Sequence, residues 1–377
     1  MRIGIFDPYL DDLGGGEKYM MAIAECLAKD HSVTVFWDND RDLKELQERF
    51  SINLSSIALH KNIFSKKVNF FERIFITRMF DAIFVLSDGS IPFVLSKKLF
   101  LHFQQPMQHL SKLSIKEKLK LWKVTSIFCN SQFTKSFIDK TFNVNSQVLY
   151  PPVNLLPKKA KKENIILNVG RLRVKNVTAR DVPIGDYNAQ HFKSLRIEIA
   201  SDYKKQSTII ETFKKMIREG LQNWKFVIAI SVKKEDKEAF ESLQKSAEGF
   251  PIEFVVNQNN KKLWDLYNRA KIYWHATGFG EDLQKHPEYA EHFGISTVEA
   301  MSAGAVPVVI NAGGQKEIVE DNKSGFLWDK IEDLIDKSLK LIRDQNLWKD
   351  MSKAAQERSR KFTGDRFCKE LKEITNL

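Results

Sequence analysis

The pattern that most constrains this chain is an alternation that occurs twice. Short apolar runs of strand length are separated by segments of helical periodicity, first up to about residue 150 and again from residue 164. In the first series residues 3–6 read as a strand, 7–14 as a polar loop, 17–28 as a helix and 32–37 as a second strand, with further strands at 57–59, 82–86, 98–102, 126–130 and 147–150. A βαβ opening of this kind predicts a parallel sheet with right-handed crossovers. Pro151-Pro152 and the basic run 158–162 break the pattern, and a second series follows with strands at 164–169, 225–231, 252–256, 272–275 and 306–310. The expected fold class is α/β, with two doubly wound domains at 1–152 and 153–350, a helix at 351–377 returning to the first, and ligands bound in a cleft at the carboxyl ends of the strands. No internal repeat is present.

Composition narrows the classes. A chain of 377 residues can build two cores, and 43% hydrophobic residues exclude a disordered chain. The three cysteines, Cys26, Cys129 and Cys368, are too few and too scattered for a disulfide framework, so a reducing cytoplasm is expected. No stretch reaches the roughly 18 apolar residues of a spanning helix. The first apolar run meets Asp7 before a signal-peptide core can form. The expectation is a cytoplasmic protein, soluble or peripheral on the inner face of the membrane.

The net charge of +11 is concentrated in the middle of the chain: residues 1–50 sum to −5, 51–250 to +17 and 251–377 to −1. Residues 60–124 carry twelve Lys or Arg against four acids, including Lys66, Lys112, Lys116, Lys118 and Lys120, interleaved with Phe64, Phe70, Phe71, Phe75, Phe80 and Trp122. Such interleaving suits an anionic membrane surface, and it also suits a solvated helix face over an ordinary core. Nucleic acid is not expected, because no recognition signature accompanies the charge.

The densest motif runs from Glu291-His-Phe-Gly-Ile-Ser-Thr-Val-Glu299 to Gly304, then through an apolar strand to Gly313-Gly314. It reads as a loop ending at Gly294, a helix over 295–303, a buried strand and a glycine turn. The helix start offers unpaired N–H groups and the positive end of the dipole to a phosphate. Glu299 lies in the early turns and Glu291 before them, so the two carboxylates can reach different parts of one ligand. Read by itself, the block is equally a loop, helix and strand with two surface acids.

These residues, with Trp274-His-Ala-Thr-Gly-Phe-Gly280 upstream, resemble retaining glycosyltransferases of family four, which have the GT-B fold of two facing Rossmann-like domains. Further landmarks stand in the expected order: Gly14-Gly-Gly-Glu17, His102, Asn130-Ser-Gln-Phe-Thr134, Tyr150-Pro-Pro-Val153 and Gly170-Arg171. The resemblance implies a nucleotide-sugar donor held mainly by the second domain. Glu299 would bind the ribose hydroxyls. Phe293 and the N–H groups of Gly294 and Ile295 would join Arg171 and a lysine, Lys204 or its neighbour Lys205, around the diphosphate. Glu291 and His102 would contact the transferred hexose, Gly15 and Gly16 would let backbone approach the donor phosphates, and Glu17 and Lys18 would lie near the acceptor. Fixed cations and a helix N-terminus can stabilise a departing diphosphate without metal or other cofactor, and retention of configuration is implied. The Gly-Gly-Gly-Glu and Glu-His-Phe-Gly-Ile sequences are similar to those of mannosyltransferases that extend lipid-linked oligosaccharides. GDP-mannose is therefore the first donor expected and a UDP-hexose the second, with a lipid-linked or polysaccharide acceptor.

Other readings fit less well. A dinucleotide fingerprint at Gly14-Gly-Gly16 with Asp38 has Tyr19 where a third glycine belongs. Asp38-Asn39-Asp40 matches an Asp-x-Asp metal motif, yet it follows an early strand and reads as a loop cap. His275 and His292 receive no role. An epimerase of the same architecture and a silent carbohydrate-binding protein remain as alternatives. One departure from the family pattern is an apparent insertion at 174–201, with Arg173, Lys175 and Arg180 near its start and a candidate strand at 194–200, which separates Arg171 from Lys204 by 33 residues.

Overall fold

A computed structural model describes residues 1–12, 14–65, 67–108, 115–156, 160–172 and 203–377, with the side chains of 115–117 outside the description. The 174–201 segment with its candidate strand, and Arg173, Lys66 and Lys112, lie outside the described residues, as does the side chain of Lys116. The chain divides into two units, Met1–Asn154 with Phe362–Leu377, and Leu155–Lys361.

In the first unit β1 (Arg2–Phe6), β2 (Ser32–Phe36), β3 (Ala58–His60), β4 (Ala82–Leu86), β5 (Lys98–Phe103), β6 (Ser126–Cys129) and β7 (Gln147–Val148) form a parallel sheet in the order β3-β2-β1-β4-β5-β6-β7. Every residue of β4 is buried, as expected of a parallel strand covered on both faces. The two coverings can be told apart by strand alternation. Ala82, Phe84 and Leu86 join the core with α1 (Gly15–Leu27) and α2 (Asp40–Phe50). Ile83 and Val85 face the opposite core, which takes Ile76 of α3 (Phe70–Thr77), Leu121 of α4 (Ile115–Trp122), and Ile138 and Phe142 of α5 (Gln132–Phe142).

In the second unit β8 (Glu163–Arg171), β9 (Lys225–Ser231), β10 (Ile252–Val256), β11 (Ala270–His275), β12 (Val306–Ile310) and β13 (Phe326–Trp328) form a parallel sheet in the order β10-β9-β8-β11-β12-β13. Its crossover helices include α6 (Gln206–Arg218), α7 (Lys237–Ser246), α8 (Asn260–Arg269), α9 (Ile295–Ser302) and α10 (Gln315–Ile318), and α11 (Ile331–Arg343) and α12 (Gln345–Ser359) follow the last strand. Both sheets reverse direction beside their first strand, β1 or β8, which is where doubly wound folds bind ligands. The expected α/β class with two Rossmann-like sheets is borne out, and β13 is an edge strand beyond those expected.

The last helix, α13 (Gly364–Thr375), completes the first unit: Phe367 and Leu371 are buried in the core that α1 covers. There Cys26 and Cys368 form a disulfide, with Cα atoms 5.5 Å apart and a sequence separation of 342. The cysteine count had suggested no disulfide framework. It could not anticipate a single cross-link, because the two residues meet only through the packing of α13 on α1. Among the described residues no helix is long and apolar enough to cross a membrane.

Candidate functional site

The glycine turns of the second unit draw the Glu291–Glu299 loop into one structure. Gly294, the residue before α9, has φ 118°, a conformation that a side chain disfavours. Gly314 is needed for space: a Cβ there would lie 2.4 Å from the Cα of Phe293, while its N–H donates to the Glu291 carbonyl at 2.8 Å. The two glycine elements of the motif are thus one packed turn that presents the start of α9.

Glu291 is the centre of the polar cluster. Its Oε2 accepts hydrogen bonds from Lys204 Nζ at 2.8 Å and His275 Nε2 at 3.0 Å. Burial alone would raise its pKa, but the Lys204 charge and the His275 hydrogen bond outweigh it and hold the carboxyl well below the usual range. Burial lowers the pKa of His275 against the opposing pull of Glu291, so the ring is neutral and donates through Nε2–H. Thr277 Oγ1 lies 3.3 Å from the same nitrogen.

The lysine pair is divided. Lys204 turns to Glu291, whereas Lys205 Nζ pairs with Glu281 Oε1 at 2.7 Å. Arg171 ends β8 and pairs through its backbone with Ser231, at the carboxyl edge of the central strand. On α9, Glu299 Oε2 accepts from the Tyr267 hydroxyl at 3.0 Å, and Ser296 Oγ is 2.8 Å from the Tyr273 hydroxyl. Phe293 is buried and Ile295 half-buried at the helix start.

In the first unit, Phe6 of β1 is level with Val85, and Leu86 with His102 of β5, so Asp7 and His102 stand near the same carboxyl edge. His102 stacks on Tyr19 with ring centroids 3.8 Å apart. Its Nδ1 is 3.2 Å from the Phe128 carbonyl, so Nδ1 carries the proton, and Nε2 meets no hydrogen-bond partner among the described residues. Burial, partly opposed by the Phe128 carbonyl, lowers its pKa to about 3. Glu17 is buried and its Oε2 accepts from the Gly14 N–H at 2.5 Å, while the Lys18 ammonium lies 6.0 Å from the centre of the Phe50 ring. Gly15 is exposed, and a Cβ on Gly16 would strike the Gln104 side chain at 1.9 Å.

Sequence reading missed several participants. His275 had no assigned role, although it ends a strand directly before the Thr-Gly-Phe-Gly turn. Tyr267 and Glu281 gave no signal. Asp7 is fully buried: its Oδ1 accepts from Tyr9 N at 2.9 Å, its Oδ2 has no hydrogen-bond partner among the described residues, and burial together with Glu17 raises its pKa. The Asp38-Asn39-Asp40 triplet serves as local capping: Asn39 accepts from Arg41 N, Asp38 from Asn62 N, and Asp40 pairs with Lys44.

Residues 191–358, within the second unit, match the family model of glycosyl transferases group 1. The match includes the Glu291–Glu299 motif that carried the resemblance, and its enzyme class, glycosyltransferase, is also that of the mannosyltransferase relatives. A Dictyostelium discoideum GDP-Man:Man(3)GlcNAc(2)-PP-Dol alpha-1,2-mannosyltransferase is 25% identical over 255 residues, covering 63% of this chain and 44% of the relative. A probable sucrose-phosphate synthase of Thermosipho melanesiensis is 30% identical over 190 residues, covering 49% of this chain and 42% of its own. The chain thus spans less than half the length of these curated relatives. Among solved structures, Anabaena HepE in complex with UDP has a TM-score of 0.73 at 17% identity, with 100% of each chain covered, and shares the fold.

Proposed function

We propose that the protein transfers a hexose from a nucleotide sugar to a hydroxyl of a lipid-linked or polysaccharide acceptor, with retention of configuration and without metal. Mannose from GDP-mannose is the first donor to test, in keeping with the relative named for GDP-Man, and a UDP-hexose the second. The observation that carries the reading is the ionised Glu291 held between Lys204 and His275, beside a helix start presented by a closely packed glycine turn.

In this reading Glu299 takes the ribose hydroxyls. The N–H groups of Gly294 and Ile295, with Phe293 beside them, join Arg171 and Lys204 at the diphosphate, and Lys205 keeps Glu281 in place. Glu291 accepts hydrogen bonds from the hexose, and the unmatched Nε2 of His102 is suited to accept one from a sugar hydroxyl. As the anomeric C–O bond breaks, its electron pair passes to the diphosphate oxygen, and fixed cations with the dipole of α9 stabilise the growing charge. The acceptor oxygen attacks from the same face, and its proton passes to the departing phosphate. Gly15 and Gly16 keep α1 open to close backbone approach, and Glu17 with Lys18 shapes that first turn on the acceptor side.

The acceptor reading gains support from the outer surface of the first unit. Phe71, Phe75 and Trp122 are 77%, 72% and 90% exposed, among the exposed bases Lys67, Arg78, Lys118 and Lys123. Their helices, α3 and α4, cover the same face of the sheet, which suits docking to the anionic inner face of a cytoplasmic membrane. Incubation with a panel of nucleotide sugars, with and without lipid-linked acceptors, tests the function by release of nucleoside diphosphate. Release from one donor is expected; no binding and no release from any donor would overturn the transferase reading.

A further inference from the structure

The hydrogen bond between Tyr267 and Glu299 is more constrained than a chance meeting of polar groups. Tyr267 is fully buried near the end of α8, and its hydroxyl donates to Glu299 Oε2 on the neighbouring α9 at 3.0 Å. The backbone under the phenol is pinned as well: Lys162 Nζ bonds the carbonyls of Tyr267 and Ala270 at 3.1 and 2.8 Å, where the helix runs out of its own donors. The Tyr273 ring lies 6.4 Å away, and its hydroxyl serves Ser296 on the same helix. The two phenols therefore form a shelf beneath the first turns of α9, with one of them fixed on the carboxylate.

We infer that Tyr267 is a positioning residue for Glu299 and sets how strongly the site distinguishes ribose from 2′-deoxyribose. A carboxylate offers about four acceptor directions, and Tyr267 takes one of them, fixing the side-chain torsions without neutralising the charge. A pair of vicinal hydroxyls needs two acceptor directions at set angles, so a carboxylate that swings freely loses most of its preference for a diol. Burial and the adjacent Glu299 charge keep the phenol protonated, so it stays a donor. The inference rests on the proposed contact of Glu299 with ribose and assigns the group that makes that contact selective.

The test uses calorimetric titration of the full chain with GDP, UDP, 2′-deoxy-GDP and 2′-deoxy-UDP. The unmodified protein should prefer the ribonucleotide by roughly tenfold or more, and Glu299→Ala should abolish the preference. Tyr267→Phe should reduce the preference at least about threefold while the affinity for the 2′-deoxynucleotide stays the same. Tyr273→Phe, which removes the other phenol, should leave the ratio unchanged. If Tyr267→Phe keeps the full preference while Glu299→Ala loses it, or if Tyr273→Phe matches Tyr267→Phe, the positioning role is overturned and the ribose contact stands. If Glu299→Ala keeps the preference, the ribose contact fails and the positioning role fails with it. Should Tyr267→Phe not fold, Glu299→Asp withdraws the carboxylate from an intact phenol. It must then lose the preference with deoxynucleotide binding retained, and a preserved preference overturns the inference.

Discussion

Lys204 and Glu291 are 87 residues apart in sequence, yet their Nζ and Oε2 atoms are separated by 2.8 Å. The ammonium thus waits beside the carboxylate assigned to the hexose. Lys204→Met, which keeps the stem and removes the charge, should lower kcat by about 100-fold, the scale on which a fixed donor stabilises a developing oxyanion. Steady-state kinetics should show little change in the acceptor KM. A loss smaller than threefold would remove Lys204 from the diphosphate.

The stacked imidazole of His102 makes a claim about acid stability. Folded, it stays neutral down to about pH 3; unfolded, it takes a proton near its ordinary value of 6.5. Between those values the unfolded state binds more protons, so stability must fall as pH drops from 6.5 towards 3. Denaturant titrations across that window should give a shallower decline for His102→Gln. An identical slope would show that the ring's neutrality has no bearing on stability.

Gly314→Ala tests the turn that presents α9. The added methyl would stand 2.4 Å from the Cα of Phe293, and backbone cannot swing aside as a long side chain can. Overpacking of this kind costs about 1–3 kcal/mol. Chemical unfolding should register that loss, and nucleotide affinity should fall with it; wild-type values for both would mean that the loop relaxes without cost.

Membrane docking is checked with liposomes. Phe71→Ser combined with Phe75→Ser should reduce co-sedimentation with anionic vesicles at least about fivefold, given the apolar area withdrawn from the interface. Raising the salt should weaken binding of the unmodified protein. Equal sedimentation with neutral vesicles would contradict an electrostatic surface.

Thiol counting tests the Cys26–Cys368 bond. Denatured without reductant, the chain should expose the single thiol of Cys129; with reductant it should expose three. Reduction should cost about 2–4 kcal/mol of stability to unfolding, the usual range for a disulfide. Three thiols without reductant would refute the cross-link.

Much of the scaffold was legible in the sequence because buried parallel strands leave unbroken apolar runs: residues 82–86, 225–231, 252–256 and 306–310 were read with the bounds of β4, β9, β10 and β12. β13 was not, since three residues between Gly325 and Asp329 carry too short a pattern. The two glutamates stood out because a helix start and two glycine turns frame them. His275, Tyr267 and Glu281 did not, because their roles come from side chains that converge from a strand end, a helix and a loop, and spacing along one element carries no trace of that. The cysteines illustrate the same limit: scattered in sequence, two of them are neighbours once α13 lies on α1.

That last helix also has a consequence for biosynthesis. The second unit is continuous in the chain, but the first needs Phe367 and Leu371 to close its core. On the ribosome, the part made first must wait, its hydrophobic layer incompletely covered, until Phe367 and Leu371 have emerged, while the part made later has all its pieces sooner. Order of synthesis and order of completion are therefore reversed.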